Sequence, residues 1–108
     1  MIEVKVLYNK KHKLIGFEAS GHANSGPYGK DLVCAGVSSV ITGGLNNIQD
    51  QQTFEITLFE GYAKIKPWFN NDRVNRHDQI VLETIVTQLK TIEEAHPKNI
   101  KVNNTCIE

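Results

Sequence analysis

The stretch from Gly21 to Gln49, GHANSGPYGKDLVCAGVSSVITGGLNNIQ, changes character at Asp31. Before that residue, three glycines, Pro27, Asn24 and Ser25 exclude regular structure from Gly21 to about Lys30. After it, Val33, Val37, Val40, Ile41, Leu45 and Ile48 recur at helical spacing, which predicts a helix over LVCAGVSSVITGGLNNIQ with Asp31 as its N-cap. The rest of the chain is arranged around an irregular loop delivered onto a helix N-terminus.

Upstream, Ile2, Val4 and Val6 alternate with Glu3, Lys5 and Leu7 in the period of a half-buried strand. The polar break NKKHK reads as a hairpin connection, and Ile15, Phe17 and Ala19 continue as a second strand. Downstream, Phe54, Ile56 and Leu58 alternate with Glu55 and Thr57. Glu60-Gly61 supplies turn chemistry, and Ala63 and Ile65 alternate with Lys64 and Lys66, predicting a second hairpin. From Asn71 or Asp72 onward Leu82, Ile85, Val86, Leu89 and Ile92 form one apolar stripe, with Glu93 and Glu94 turned away and Pro97 as the stop. The closing NIKVN adds a short strand. Residues 1–108 thus read as a single α+β domain, order β-β-α-β-β-α-β, with two main helices against a mixed sheet. Trp68 and Phe69, after Pro67, could contact a partner, but an aromatic pair at a strand end reads first as core edge.

The chain of 108 residues and 12.1 kDa would expose about 6,000 Å² once folded by area scaling, enough for one core. A hydrophobic fraction of 40% and a charged fraction of 22% argue against disorder and coiled coil. Twelve Lys+Arg balance twelve Asp+Glu, so no global basic field exists to hold nucleic acid or an anionic membrane, and neither is expected as a partner. Glu3 and Lys5 interrupt the N-terminal apolar stretch, which therefore lacks the centre of a signal peptide. Cys34 and Cys106 lie far apart in a domain that needs no staple, which predicts a reduced, cytoplasmic protein.

His22 and Cys34 flank the irregular stretch with eleven residues between them. With Asp31 as N-cap, Leu32 is N1, Val33 is N2 and Cys34 is N3, so the sulfur belongs to the turn whose N–H groups lack helical partners. A helix N-terminus and a nearby imidazolium both favour the thiolate, the nucleophilic form of cysteine. Lys30 adds positive charge next door, and the N–H groups nearest the sulfur could receive a developing oxyanion. The same residues also admit a plain reading, in which Cys34 is an inert buried thiol, His22 a solvated loop side chain and Asp31 only a cap. The glycines match no phosphate-binding loop. His12, His22, His77 and His96 fall on separate elements without zinc-site spacing, so no metal and no cofactor are expected.

The stretch GHANSGPYGKDLVCAGVSSVITGGLNNI resembles the signature of the ribosomal-processing cysteine protease (Prp) family: GHA, a Gly-containing loop, then an Asp, an aliphatic residue, VCA and a Ser at the start of a helix. The resemblance extends through LETIVTQLKTIEE and covers essentially the whole chain. It implies a cysteine endopeptidase that removes the N-terminal extension of the twenty-seventh large-subunit ribosomal protein. Its cleavage motif carries paired aromatics before the scissile bond. Matched position by position, His22 would be the base and Cys34 the nucleophile, with Gly21, Asp31 and Ser38 shaping the site. The resemblance also implies a homodimer. Two rival readings are a ribosome-associated binding module in which Cys34 is incidental, and a thioesterase using the same pair.

Overall fold

Asn9 shows how the first hairpin closes. Its side chain is buried, and Oδ1 accepts from the backbone N–H of Lys11 at 2.9 Å and of Lys13 at 3.0 Å, while its own N–H donates to the Lys13 carbonyl. The short polar side chain replaces backbone partners in the turn, and His12 takes the left-handed φ of 63° that the turn requires. The strands it joins, β1 (Ile2–Tyr8) and β2 (Leu14–Ser20), pair antiparallel with Val4 opposite Ala19 and Val6 opposite Phe17. The computed structural model describes residues 1–27, 29–69 and 73–107.

The elements follow in the expected order: α1 (Leu32–Leu45), β3 (Phe54–Phe59), β4 (Tyr62–Pro67), α2 (Arg76–Ala95) and β5 (Ile100–Cys106), with a 3₁₀ turn at Gln51–Thr53. The five strands form one sheet ordered β3-β4-β2-β1-β5. Its pairs are antiparallel except β1 with β5, which run parallel with Ile2 opposite Ile100, so the sheet is mixed. Parallel pairing needs a crossover, and α2 supplies it. Ile2, Val4, Val6, Ile15, Phe17, Ala63 and Ile65 alternate onto the covered face, where α2 meets β2 and β5 and α1 packs beside α2. From α1 come Val33, Val37, Ile41 and Leu45, and from α2 Leu82, Ile85, Val86 and Leu89. The folded chain exposes 6465 Å², near the area expected for its mass.

Four local expectations are corrected. Helix α1 stops at Leu45, with Asn46 at its C-cap position, so Ile48 reaches the core from the following loop. Helix α2 begins at Arg76 with Asn75 as N-cap, its Oδ1 accepting from the Asp78 N–H at 2.7 Å; Asn71 and Asp72 lie outside the described residues. Glu93 does not face away: half-buried, it accepts the Val102 N–H at 2.8 Å on the outer edge of β5. Trp68 and Phe69 are both largely exposed.

Asp78 ties the connection after α1 to the start of α2. Fully buried, it accepts the N–H groups of Gln49 at 2.8 Å and Asp50 at 3.0 Å and pairs with His77 Nδ1 at 2.9 Å. Burial pushes its carboxyl up, but those donors outweigh it, and the group is held below the ordinary carboxylate range.

Candidate active site

The N-cap prediction at Asp31 holds atom by atom. Asp31 has extended backbone, its Oδ1 accepts the Cys34 N–H at 3.0 Å, and its carbonyl receives the first helical hydrogen bond, from Ala35 N, at 3.0 Å. Cys34 therefore stands at N3 of α1, half-buried, as the sequence requires. The other side of the carboxylate holds the loop: Oδ2 accepts the Ser25 N–H at 2.8 Å, and the Ser25 hydroxyl donates to Oδ1. The Ser25 hydroxyl first, and then the Cys34 N–H, hold the Asp31 carboxyl well below its usual range.

This arrangement narrows one expectation to N–H groups other than that of Cys34. The Cys34 N–H cannot both bond the cap and remain open for an oxyanion, because a backbone N–H in good geometry serves one acceptor. The cap has it.

The sulfur is met from the loop side. The Ala23 N–H lies 3.2 Å from Cys34 Sγ, and Ala23 is almost fully buried. His22 precedes Ala23, and its ring lines the same cleft as Cys34, Asp31 and Ser38. Ser38 is exposed one turn after Cys34 on the same face of α1.

Two glycines hold His22 in place from behind. Gly21 has φ +101°, and a Cβ there would sit 2.4 Å from the Met1 carbonyl oxygen, so the strand-to-loop corner admits no side chain. Its N–H donates to the Gly61 carbonyl at 2.9 Å, which ties the β3–β4 turn to the residue before His22. Gly61 has φ +77°, and a Cβ there would lie 3.2 Å from His22 Nε2. The imidazole thus rests against the bare backbone of the turn. The sequence named Gly61 as a turn residue only.

The cleft encloses about 870 Å³ between α1 and the β3–β4 hairpin. Leu58 and Phe59, 48% and 65% exposed, give its hairpin side an apolar surface, and Phe59 stacks on Tyr62 with ring centroids 4.9 Å apart. The Tyr62 hydroxyl donates to Glu18, and that bond pushes its phenol up to about 12. Among the described residues no cluster of three or more His, Cys, Asp or Glu is arranged to hold a metal ion. A half-buried thiol at a helix start, an imidazole in the same cleft and an apolar trough beside them are suited to acyl transfer from an extended peptide.

Known proteins carry the same arrangement of chain. Residues 1–101 match the family model described as cysteine protease Prp. The chain is 34% identical over 107 residues to the ribosomal processing cysteine protease Prp of Staphylococcus aureus strain Mu50, covering 95% of this chain and 98% of that one. It is 30% identical over 112 residues to the Bacillus subtilis strain 168 protein of the same name, covering 99% and 100%. The crystal structure of the S. aureus essential ribosomal processing protease Prp with a covalently linked product peptide superposes with a TM-score of 0.84 at 33% identity, covering 97% of this chain and all of that one.

Proposed function

Because the chain belongs to the Prp family of ribosomal-processing cysteine proteases and is a cysteine protease itself, we propose that Cys34 is its nucleophile and His22 its base, and that its substrate is the N-terminal extension of the twenty-seventh large-subunit ribosomal protein. The single observation that carries the residue assignment is the Cys34 thiol at N3 of α1, hydrogen-bonded by the residue that follows His22. Gly21, Asp31 and Ser38 shape the site around it: Gly21 turns the strand end, Asp31 caps the helix and tethers the loop, and Ser38 lines the cleft wall one turn on.

His22 takes the proton from Cys34, and the thiolate attacks the scissile carbonyl carbon. A C–S bond forms, the C–N bond breaks, and the leaving amine takes its proton from His22. Water, deprotonated by His22, then hydrolyses the thioester and returns the thiol. The half-burial of Cys34 and the hydrogen bond from Ala23 support a sulfur held in place before substrate arrives. The apolar hairpin side at Leu58 and Phe59 supports a substrate with aromatic residues beside the scissile bond.

We further propose that the protein acts in the cytoplasm as a homodimer and needs neither metal nor cofactor. No described helix is long and apolar enough to cross a membrane. The test is the intact mass of the extended ribosomal protein before and after incubation with the protein and with its Cys34→Ser form. Loss of the extension with the wild type alone supports the reading. Cleavage by Cys34→Ser rejects Cys34 as nucleophile, and an unchanged mass with the wild type rejects the substrate. Sedimentation velocity reads the dimer.

A further inference from the structure

Asn99, in the connection between α2 and β5, donates from Nδ2 to the Ala23 carbonyl at 2.9 Å across 76 positions of sequence. Ala23 is the residue whose N–H meets Cys34 Sγ at 3.2 Å. The two bonds lie on opposite sides of the Ala23 Cα, so each restrains one of the planar peptide groups that flank it. The sequence around Asn99 gives it no special character, and it lies outside the loop and helix that hold the other site residues.

We propose that Asn99 is a positioning residue for the nucleophile: it clamps the Ala23 backbone so that the Ala23 N–H stays aimed at Cys34 Sγ. The proposal rests on Cys34 as nucleophile. Asn99 is itself well placed to act as a clamp. Its main-chain carbonyl accepts the Ile2 N–H at 2.9 Å and its N–H donates to the His96 carbonyl at 3.0 Å, so the side chain projects from backbone anchored to β1 and to the end of α2. The segment it holds is otherwise liable to turn. Gly21 and Asn24 on either side have φ of +101° and +57°, and Gly26 and Pro27 follow. Upstream the segment is fixed by the Gly21 N–H on the Gly61 carbonyl, and downstream by Ser25 on Asp31. Asn99 supplies the intermediate anchor, at the residue that touches the sulfur. His22 lies between the Gly21 and Ala23 anchors, so the same clamp bears on the imidazole. Asn99 acts on the backbone and not on the ring, which separates this role from that of a side chain orienting the base.

A merely structural Asn99 would change melting temperature and leave chemistry per folded molecule alone. The experiment therefore uses Asn99→Ala and the near-isosteric Asn99→Asp, which offers an oxygen where the donor stood, in a Cys106→Ser background so that iodoacetamide mass shifts report Cys34 alone. Four quantities are read on the folded protein: alkylation rate at fixed pH, kcat and KM on a peptide spanning the cleavage site, and melting temperature. One misaligned hydrogen bond corresponds to about a 10-fold effect. Alkylation and kcat should each fall by up to about that factor, with KM within about 2-fold and Asn99→Asp at least as impaired as Asn99→Ala. Unchanged alkylation and kcat in either folded variant overturn the proposal, as does a loss confined to melting temperature. Should Asn99→Ala fail to fold, Asn99→Asp alone decides. Turnover by Cys34→Ser would defeat the underlying assignment of the nucleophile, and the alkylation rate would still show whether Asn99 aligns that sulfur.

Discussion

The Cys34 backbone N–H is bonded to the Asp31 carboxylate at 3.0 Å, so the residue proposed as nucleophile is joined through its main chain to the residue that caps its helix. The same carboxylate holds Ser25 in the preceding loop by N–H and hydroxyl. Asp31 is thus a three-way junction of helix start, loop and Cys34, and its two oxygens are occupied by that work. The loop cannot lift from the helix start without breaking the Ser25–Asp31 hydrogen bonds.

Replacing Asp31 separates those duties. Asp31→Asn keeps one oxygen for the Cys34 N–H but places an amide where Ser25 needs an acceptor, so loop tethering should suffer more than capping. Asp31→Ala removes both. We expect kcat/KM to fall about 10-fold or more for Asp31→Ala and less for Asp31→Asn, with melting temperature in the same order. Equal activity in wild type and Asp31→Ala would show that the junction does not serve the site.

Asp78 makes a second, purely architectural junction and predicts acid behaviour. Its carboxyl and that of Asp31 are held below the ordinary range in the folded state, so the unfolded chain binds protons first as pH falls. Their stabilisation is fully present above the unfolded value of about 4 and is lost as pH falls below it. Melting temperature should therefore be nearly flat from about pH 5 to 7 as far as these groups are concerned, and decline below about pH 4. Asp78→Asn sets an amide donor against the Asp50 or Gln49 N–H and should cost about 2 kcal/mol at neutral pH, with a shallower acid decline. Thermal melts of both proteins across that range check it; an unchanged midpoint in Asp78→Asn removes the junction.

Much of this was legible from local pattern. Alternation of apolar and polar residues placed β1 to β4, and Asp31 followed by an apolar helical run fixed the register that makes Cys34 N3. What was not legible depends on contacts distant in sequence. Glu93 looked solvent-facing on the helix pattern, yet β5 presents it an unpaired amide. Asn99 and Gly61 acquire their meaning from Ala23 and His22, to which no periodicity connects them. Of the N–H groups expected to receive an oxyanion, that of Cys34 is already taken by the cap.

The two cysteines set exposure against chemistry. Cys106 is the more exposed, near the chain end, while Cys34 is half-buried at a helix start and takes a hydrogen bond from a buried N–H. Alkylation follows thiolate character as well as access, and a helix N-terminus favours the thiolate. Limited iodoacetamide treatment at neutral pH should label Cys34 first, read by peptide mass. Faster labelling of Cys106 would mean that access decides and that the helix start contributes little.

The contact between Gly61 and His22 gives a prediction with two separable parts. A methyl group at position 61 meets a φ of +77°, which costs an L-residue about 1 to 2 kcal/mol, and it also meets the imidazole 3.2 Å from Nε2 and 3.4 Å from Cε1. The first part is backbone strain and is independent of residue 22. The second is relieved if the ring swings away, which misplaces the proposed base. Gly61→Ala should therefore lower both melting temperature and kcat, whereas His22→Ala, removing an exposed loop side chain, should abolish turnover with little change in melting. In the His22→Ala background the methyl group meets no ring, so Gly61→Ala should cost less stability there than in the wild type by the share due to the ring. Thermal melts of the four proteins measure that difference. Equal costs in both backgrounds, together with undiminished kcat in Gly61→Ala, would show that the turn does not set the position of the imidazole.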